Sequence, residues 1–411
     1  MRPEKRIAII GGGPAGLRSA EVVAIAAADA AVTLFDAKPS VGRKFLVAGK
    51  GGLNLTNAEP VDSFAARYSG PEQPSGFWSS LLGEFGAEDL RAWAAELGCV
   101  TFVASSGRVY PVALKAAPLL RSWVRRLRGL GVEFAMKHRW TGLRQGPVLS
   151  LDFIVGRDRP VHREFDAVIL ALGGASWSST GSDGTWTSIL QQNGVEMNPL
   201  TAANCGWEVD WPPEWLAEVE GNPLKNIVVS VGERKVAGEL MVTRYGLEGG
   251  PLYELGPELR SMEKPEIQID LKPTFTADRL VKKMESARHD FLKEARVRWK
   301  LSDTACTLLG RMCERIGSAQ ALASGVKTMS IPLTRPRPVE ETISSAGGIC
   351  WREIDSFLML NKLPGVFVAG EMIDWEAPTG GFLIQGCFSS GTRAGRGAVE
   401  WLNRQPRRAS A

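Results

Sequence analysis

The chain holds only three histidines, His138, His162 and His289, in 411 residues. None stands at metal-ligand spacing from another, so a zinc site is not expected and a histidine-centred catalytic triad is poorly supplied. The six cysteines, Cys99, Cys205, Cys306, Cys313, Cys350 and Cys387, are scattered with no C-x-x-C pair. They read as reduced thiols, and the lack of a redox-active pair argues against a disulfide reductase. No apolar run reaches membrane-spanning length; "EVVAIAAADAAV" stops well short. The net charge of +4, from 49 basic and 45 acidic residues, is too small to argue for nucleic acid or an anionic membrane as partner. The N-terminus "MRPEKRIAIIGGG" runs straight into a strand with no cleavable signal pattern, and a cytoplasmic location is expected.

What the sequence has in quantity is glycine, 45 residues of it, and some of it is placed. Residues 5–10, "KRIAII", form a short apolar run of the kind that makes a buried parallel strand. "GGGPAG" follows, then the alanine-rich helical stretch "LRSAEVVAIAAA", then a second strand, "AVTLFDAK", ending on Asp36. Strand, glycine loop, helix, strand and acid in that order make a dinucleotide-binding βαβ unit. Gly11 allows the tight turn, Gly13 lets backbone approach a pyrophosphate, and Gly16 lets helix and strand pack closely. Pro14 and Ala15 open the helix whose N-terminus receives the phosphate charge. Asp36 is placed to accept hydrogen bonds from a ribose, with Ala37 and Lys38 beside it.

A second glycine loop, "PTGGFLIQG", stands at residues 378–386, more than 360 residues downstream. Ahead of it the strand "VFVAG" delivers Gly370 and Glu371 to the strand end where ligands bind in such sheets. Thr379, Gly380 and Gly381 lead into a helix beginning near Phe382, with Gln385 in its first turn. A helix N-terminus carries about half a positive charge and would stabilise the anionic edge of a reduced flavin. The late glycines are therefore expected to hold a redox ring and the early ones its pyrophosphate. "GRKFLVAGKGGLNLTN" fits the same site: Arg43 and Lys44 can meet phosphate or flavin oxygens, and Gly51, Gly52, Asn54, Thr56 and Asn57 give backbone approach and hydrogen bonds. "FDAVILALGGAS" is a further strand, ending on Ala171, Gly173 and Gly174.

Between these segments the texture changes. Short alternating stretches punctuated by Gly and Pro run from residue 196 to 275 and predict a small antiparallel β domain. Residues 276–322 turn helical, starting with "TADRLVKKMESARHDFLKEARVRWK", N-capped by Thr276 and carrying the apolar stripe Leu280, Met284, Ala287 and Phe291. The expected organisation is a discontinuous α/β domain, 1–195 and 345–411, interrupted by a β domain at 196–275 and a helical part at 276–344. The tail 404–411 reads as frayed.

On these motifs, and on "ALGGASWSSTGSDGTW", "GELMVTRYGLEGGPLYELG", "SSAGGICWREID" and "LPGVFVAGEMIDWEAPTGGFLIQGCFSSGTRAG", the chain resembles the BaiN/RdsA-like (YhiN-like) family of NAD(P)/FAD-dependent oxidoreductases, over most of its length. The resemblance implies a glutathione-reductase-type FAD-binding Rossmann-like domain with an inserted β-barrel-like domain and a small helical domain. It implies FAD as cofactor; no second G-x-G-x-x-G is present, so either NAD(P)H is a transient reductant bound without such a domain, or another donor reduces the flavin. It also places Arg244 and Tyr245 on a segment facing the flavin, where an arginine can bind a substrate carboxylate or stabilise a developing enolate. The expected activity is hydride transfer on a small organic substrate. The alternative is a flavin-dependent RNA-modifying or RNA-binding protein, supported by the basic stretches Arg121, Arg125, Arg126, Arg128 and Lys293, Arg296, Arg298, Lys300.

The chain departs from the family pattern in three places. The family loop G-R-C-N-L-T-N here has Gly52 and Leu53 at the arginine and cysteine positions. The late loop T-G-G-Y-N-L-Q-W-A-W has lost its asparagine and its two tryptophans, reading Thr379 to Phe388 as TGGFLIQGCF. Arg244 stands where a histidine is common, a fixed charge in place of a titratable one. These mark a divergent subgroup with a reshaped pocket.

Overall fold

The computed structural model describes residues 5–49, 51–287, 290–312 and 317–405. His289, Cys313 and the end of the tail, 406–411, lie outside the described residues. The chain separates into two compact units: residues 1–201 with 344–411, and residues 202–343.

The first unit is built on a five-stranded parallel sheet of β1 (Lys5–Ile10), β2 (Ala30–Asp36), β3 (Glu133–Met136), β4 (Ala167–Leu170) and β5 (Val366–Val368). The spatial order is β5-β4-β1-β2-β3. The central β1 and β4 are apolar because both faces are covered: Ile7, Ala8, Ile9, Val168, Ile169 and Leu170 are completely buried. One covering layer contains α1 (Pro14–Ala26) and the long α3 (Phe382–Arg404), packed on each other. The amphipathic α2 (Ala116–Gly129) turns Leu119, Leu120, Trp123 and Leu127 into the same core. Two small antiparallel sheets accompany it, one of 56–57, 108–111 and 101–103, the other a meander of 138–144, 149–155 and 159–165.

The second unit has its own core around a six-stranded antiparallel sheet. Its strands follow the spatial order 207–208, 246–248, 234–243, 223–231, 266–270, 329–332. Helices fill the sequence between the last two strands. The single helix expected from Thr276 onward is in fact two. Thr276 caps Ala277–Lys282, its hydroxyl accepting from the Arg279 N–H at 3.3 Å. A second helix, Phe291–Arg298, starts on Asp290, a non-glycine residue at φ +48° whose carboxylate accepts from the Lys293 N–H. Leu280, Met284 and Ala287 are buried as the stripe predicts, but Phe291 opens a new helix. Among the described residues no helix is long and apolar enough to cross a membrane.

Candidate functional site

All five strands of the parallel sheet run the same way, so the residue after each strand end arrives at one edge. A cavity of about 280 Å³ opens there. Its walls are Gly11–Ala15 after β1, Asp36–Lys38 after β2, Lys137–Trp140 after β3, Ala171–Gly173 after β4 and Ala369–Glu371 after β5. Arg43, Lys44, Cys387, the segment Thr180–Asp183, Thr185 and Trp186 also line it.

The three glycines of the first loop are required for different reasons. Gly11 sits at φ +108°, and a Cβ there would lie 2.2 Å from the Ala171 carbonyl oxygen. A Cβ on Gly16 would lie 1.9 Å from the Gly11 oxygen. Gly13 is in extended backbone, φ −79° and ψ −179°, and a Cβ there would meet no protein atom within 4 Å. Neither strain nor packing demands glycine at 13; the open space before it belongs to the cavity. Pro14 occupies the first turn of α1, which carries no acidic side chain, so the positive end of a 13-residue helix faces the cavity unneutralised. That arrangement suits a diphosphate.

The polar groups fit such a ligand. Asp36 accepts from the Gly12 N–H at 2.9 Å on one oxygen and from the Lys38 N–H at 2.7 Å on the other. These bonds fix the carboxylate at the end of β2 and leave each oxygen a further lone pair, as a ribose diol requires. Burial raises its pKa, and the two amide bonds oppose that shift. The Arg43 Nε is sealed from solvent with no protein partner, an orphaned donor on the cavity wall. The next residue, Lys44, donates through Nζ to Glu371 Oε2 at 2.8 Å and to Ser176 Oγ at 2.7 Å. The pair pins the Glu371 carboxylate, which is mostly buried, beside Gly370. The neighbouring Cys387 thiol is pushed well above its ordinary value by burial, with the Glu371 charge adding to the effect.

The later glycine loops also pack on each other. Gly380 and Gly381 have φ +138° and +97°, and a Cβ on Gly381 would lie 2.4 Å from the Thr56 carbonyl. Asn57 Nδ2 donates to the Gly380 oxygen at 3.2 Å, and Thr56 Oγ1 donates to Gln385 Oε1 at 2.7 Å. The backbone that Gly381 approaches is thus that of Thr56. Gln385, read from the sequence as a cofactor ligand, has its amide engaged by Thr56, the Phe85 carbonyl and Ser389. Its side chain is a strut between loops. Gly174 is likewise a packing glycine, its Cβ position 1.8 Å from Ser345 Oγ. Gly51, Gly52, Asn54, Thr56, Asn57 and Thr379–Phe382 are not on the cavity wall; Asn54 Oδ1 is buried without a partner.

Arg244 and Tyr245 lie in the second unit, as the two turn residues of a hairpin between the strands 234–243 and 246–248. Arg244 is exposed. The Tyr245 hydroxyl donates to Glu248, and the Arg337 guanidinium lies 4.5 Å from its ring centre. Burial and the bond to Glu248 raise the phenol above its ordinary pKa.

Sequence reasoning missed the segments 137–140 and 180–186. Their recruitment follows from register: Asp36 pairs with Met136, so the residues after Met136 must emerge beside the end of β2. Lys137 makes the turn at φ +60° and its N–H donates to the Lys38 carbonyl at 3.1 Å.

Comparison with known proteins bears on the family and the fold. Residues 5–397 match the family described as HI0933-like protein Rossmann domain, and the chain belongs to that family. A 3-dehydro-bile acid delta(4,6)-reductase of Clostridium scindens is 27% identical over 96% of this chain and 99% of its own. A ribosomal RNA dihydrouridine synthase of Haemophilus influenzae is 22% identical over 93% of this chain and 95% of its own. Among solved structures, the FrdA subunit of E. coli quinol fumarate reductase superposes with a TM-score of 0.53 at 17% identity, covering 97% of this chain and 70% of that one. A 3-ketosteroid-delta4-(5alpha)-dehydrogenase from Rhodococcus jostii gives 0.53 at 14% identity, covering 96% and 97%. These two likenesses establish the α/β fold of a Rossmann-type domain.

Proposed function

We propose that this HI0933-like chain is an FAD-dependent oxidoreductase that moves a hydride to a small organic substrate, with NAD(P)H as the reductant. The observation that carries the reading is Gly13: a glycine free of strain and of neighbours, on a cavity at the positive end of α1. FAD supplies, when bound, two-electron hydride exchange. The protein's part is to hold and orient. Gly13 and the first-turn amides of α1 face the diphosphate, Arg43 donates to it, and Asp36 accepts from the ribose. Glu371, pinned by Lys44, fixes a polar wall beside Gly370. The bile acid reductase of Clostridium scindens supports a reductive direction, and its near-complete coverage of both chains supports carrying the activity class across. Arg244 is the residue we assign to substrate, as a fixed cation for a carboxylate or a developing enolate.

The test is anaerobic turnover of the flavin-loaded protein with NADH and with NADPH, against a panel of conjugated carbonyl compounds. Reduction by either donor, reversed by one of these acceptors, is expected, and Arg244→Ala should raise KM at least about tenfold with less change in kcat. A bound flavin that neither donor reduces contradicts the reading. The ribosomal RNA relative keeps RNA modification as the second reading; dihydrouridine formed in RNA by the loaded protein would favour it.

A further inference from the structure

Residues 97–132 contain six basic side chains and no Asp or Glu, while the rest of the chain has slightly more acidic than basic groups. The modest net charge therefore conceals one concentrated basic segment. Of its cations, Arg126 turns inward to Glu21 and Glu96. Among the described residues none of the other five, Arg108, Lys115, Arg121, Arg125 and Arg128, has an ion-pair partner.

The same segment exposes apolar surface. The strand Thr101–Val103 is the edge of its small sheet, paired only with Arg108–Pro111. Phe102 faces Tyr110 across that pair, and the Val112 N–H donates to the Val100 carbonyl at 2.9 Å. Side chains alternate along strands, so Val100, Phe102, Tyr110 and Val112 share one face. Val100 is 68% exposed, Val112 63% and Phe102 41%. Leu114, 46% exposed, extends the face and leads directly into Lys115 and α2. Edge strands of soluble proteins are usually guarded by charge or proline; Val100, Thr101, Phe102 and Val103 supply neither. The outer side of α2 presents Arg121, Arg125 and Arg128, with Arg125 beside Leu97, three residues before Val100.

An exposed apolar face adjoining unpaired cations narrows the partner. A second copy of the chain meeting face to face would bring five unpaired cations against five. RNA would use the arginines and the two rings but gives the aliphatic Val100, Val112 and Leu114 nothing to stack on. An anionic bilayer takes both: aliphatic side chains enter the headgroup boundary and cations meet the lipid phosphates. We propose that this face, the edge of the 101–103 strand together with the outer side of α2, docks the protein on an anionic lipid surface.

The experiment is co-sedimentation of the full-length protein with vesicles of phosphatidylcholine containing about one-third phosphatidylglycerol, against phosphatidylcholine alone. Partition onto the anionic vesicles is expected, at least about tenfold weaker on the neutral ones and weakened by salt. The double variant Val100→Asp/Val112→Asp should lose at least about tenfold. Arg121→Gln and Arg125→Gln should lose about fivefold each; both lie on the exposed side of a helix, so this arm stays readable if the aspartates disturb folding. Failure to bind anionic vesicles overturns the proposal. So does binding unchanged in the arginine variants, or a dimer, an RNA complex or an acidic-protein complex that Val112→Asp abolishes while vesicles are ignored.

Discussion

The Ser19 hydroxyl donates to the Gly391 carbonyl at 2.9 Å, joining two helices 372 residues apart in sequence. A Cβ on Gly391 would lie 2.5 Å from the Ala15 oxygen, so α1 and α3 touch backbone to backbone. α1 supplies the helix N-terminus at the cavity, and α3 carries Cys387 on its wall. Gly391→Val forces these helices apart. A loss of about 1–3 kcal/mol is expected from overpacking, read from urea melts, together with weaker retention of FAD. Unchanged stability would mean that the two helices can separate without cost.

Lys44→Met removes the cation that pins Glu371. The carboxylate would remain mostly buried without its charge partner, and a loss of about 1–3 kcal/mol is expected. Adding Glu371→Gln should recover part of it, because no charge is then left unpaired. Additive losses in the double variant would show that the two side chains do not act as a pair.

The Cys387 thiol is raised by burial first and by the Glu371 charge second. Only the thiolate is nucleophilic, so at neutral pH the residue is held in its unreactive form. A free cysteine is half ionised at about pH 8.5, and its alkylation rate levels off roughly one to two pH units higher. Alkylation at Cys387, followed by peptide mass spectrometry, should be slow at neutral pH and still climbing where a free thiol has levelled off. A plateau at the free-thiol position would contradict the assigned environment.

Much of the site was legible because its glycines are constrained by local rules. The spacing of Gly11, Gly13 and Gly16 states a turn, an approach and a close packing, and Asp36 follows at the end of the next strand. Residues 137–140 carry no such signature: they reach the cavity only because β3 pairs with β2 in a register that sets Met136 beside Asp36. The late glycines are harder to read for a related reason. Positive φ and crowding look alike in sequence whether the neighbour is a ligand or, as for Gly381, the backbone of Thr56. The helix expected beyond Thr276 ends at Lys282, and Asp290, in a left-handed conformation, caps the next one, a local choice that an unbroken apolar stripe hides.

In the proposed function the cavity at the edge of the parallel sheet would hold the diphosphate of FAD against Gly13. Flavin content of purified Gly13→Val, set beside the wild type and paired with circular dichroism of both, tests it most directly. Backbone at Gly13 is extended and its Cβ position is open, so the variant should fold with an unchanged spectrum. About one FAD per chain is expected in the wild type and almost none in the variant. A folded Gly13→Val protein that keeps a full complement of FAD, or a folded wild type that takes up none, would contradict it.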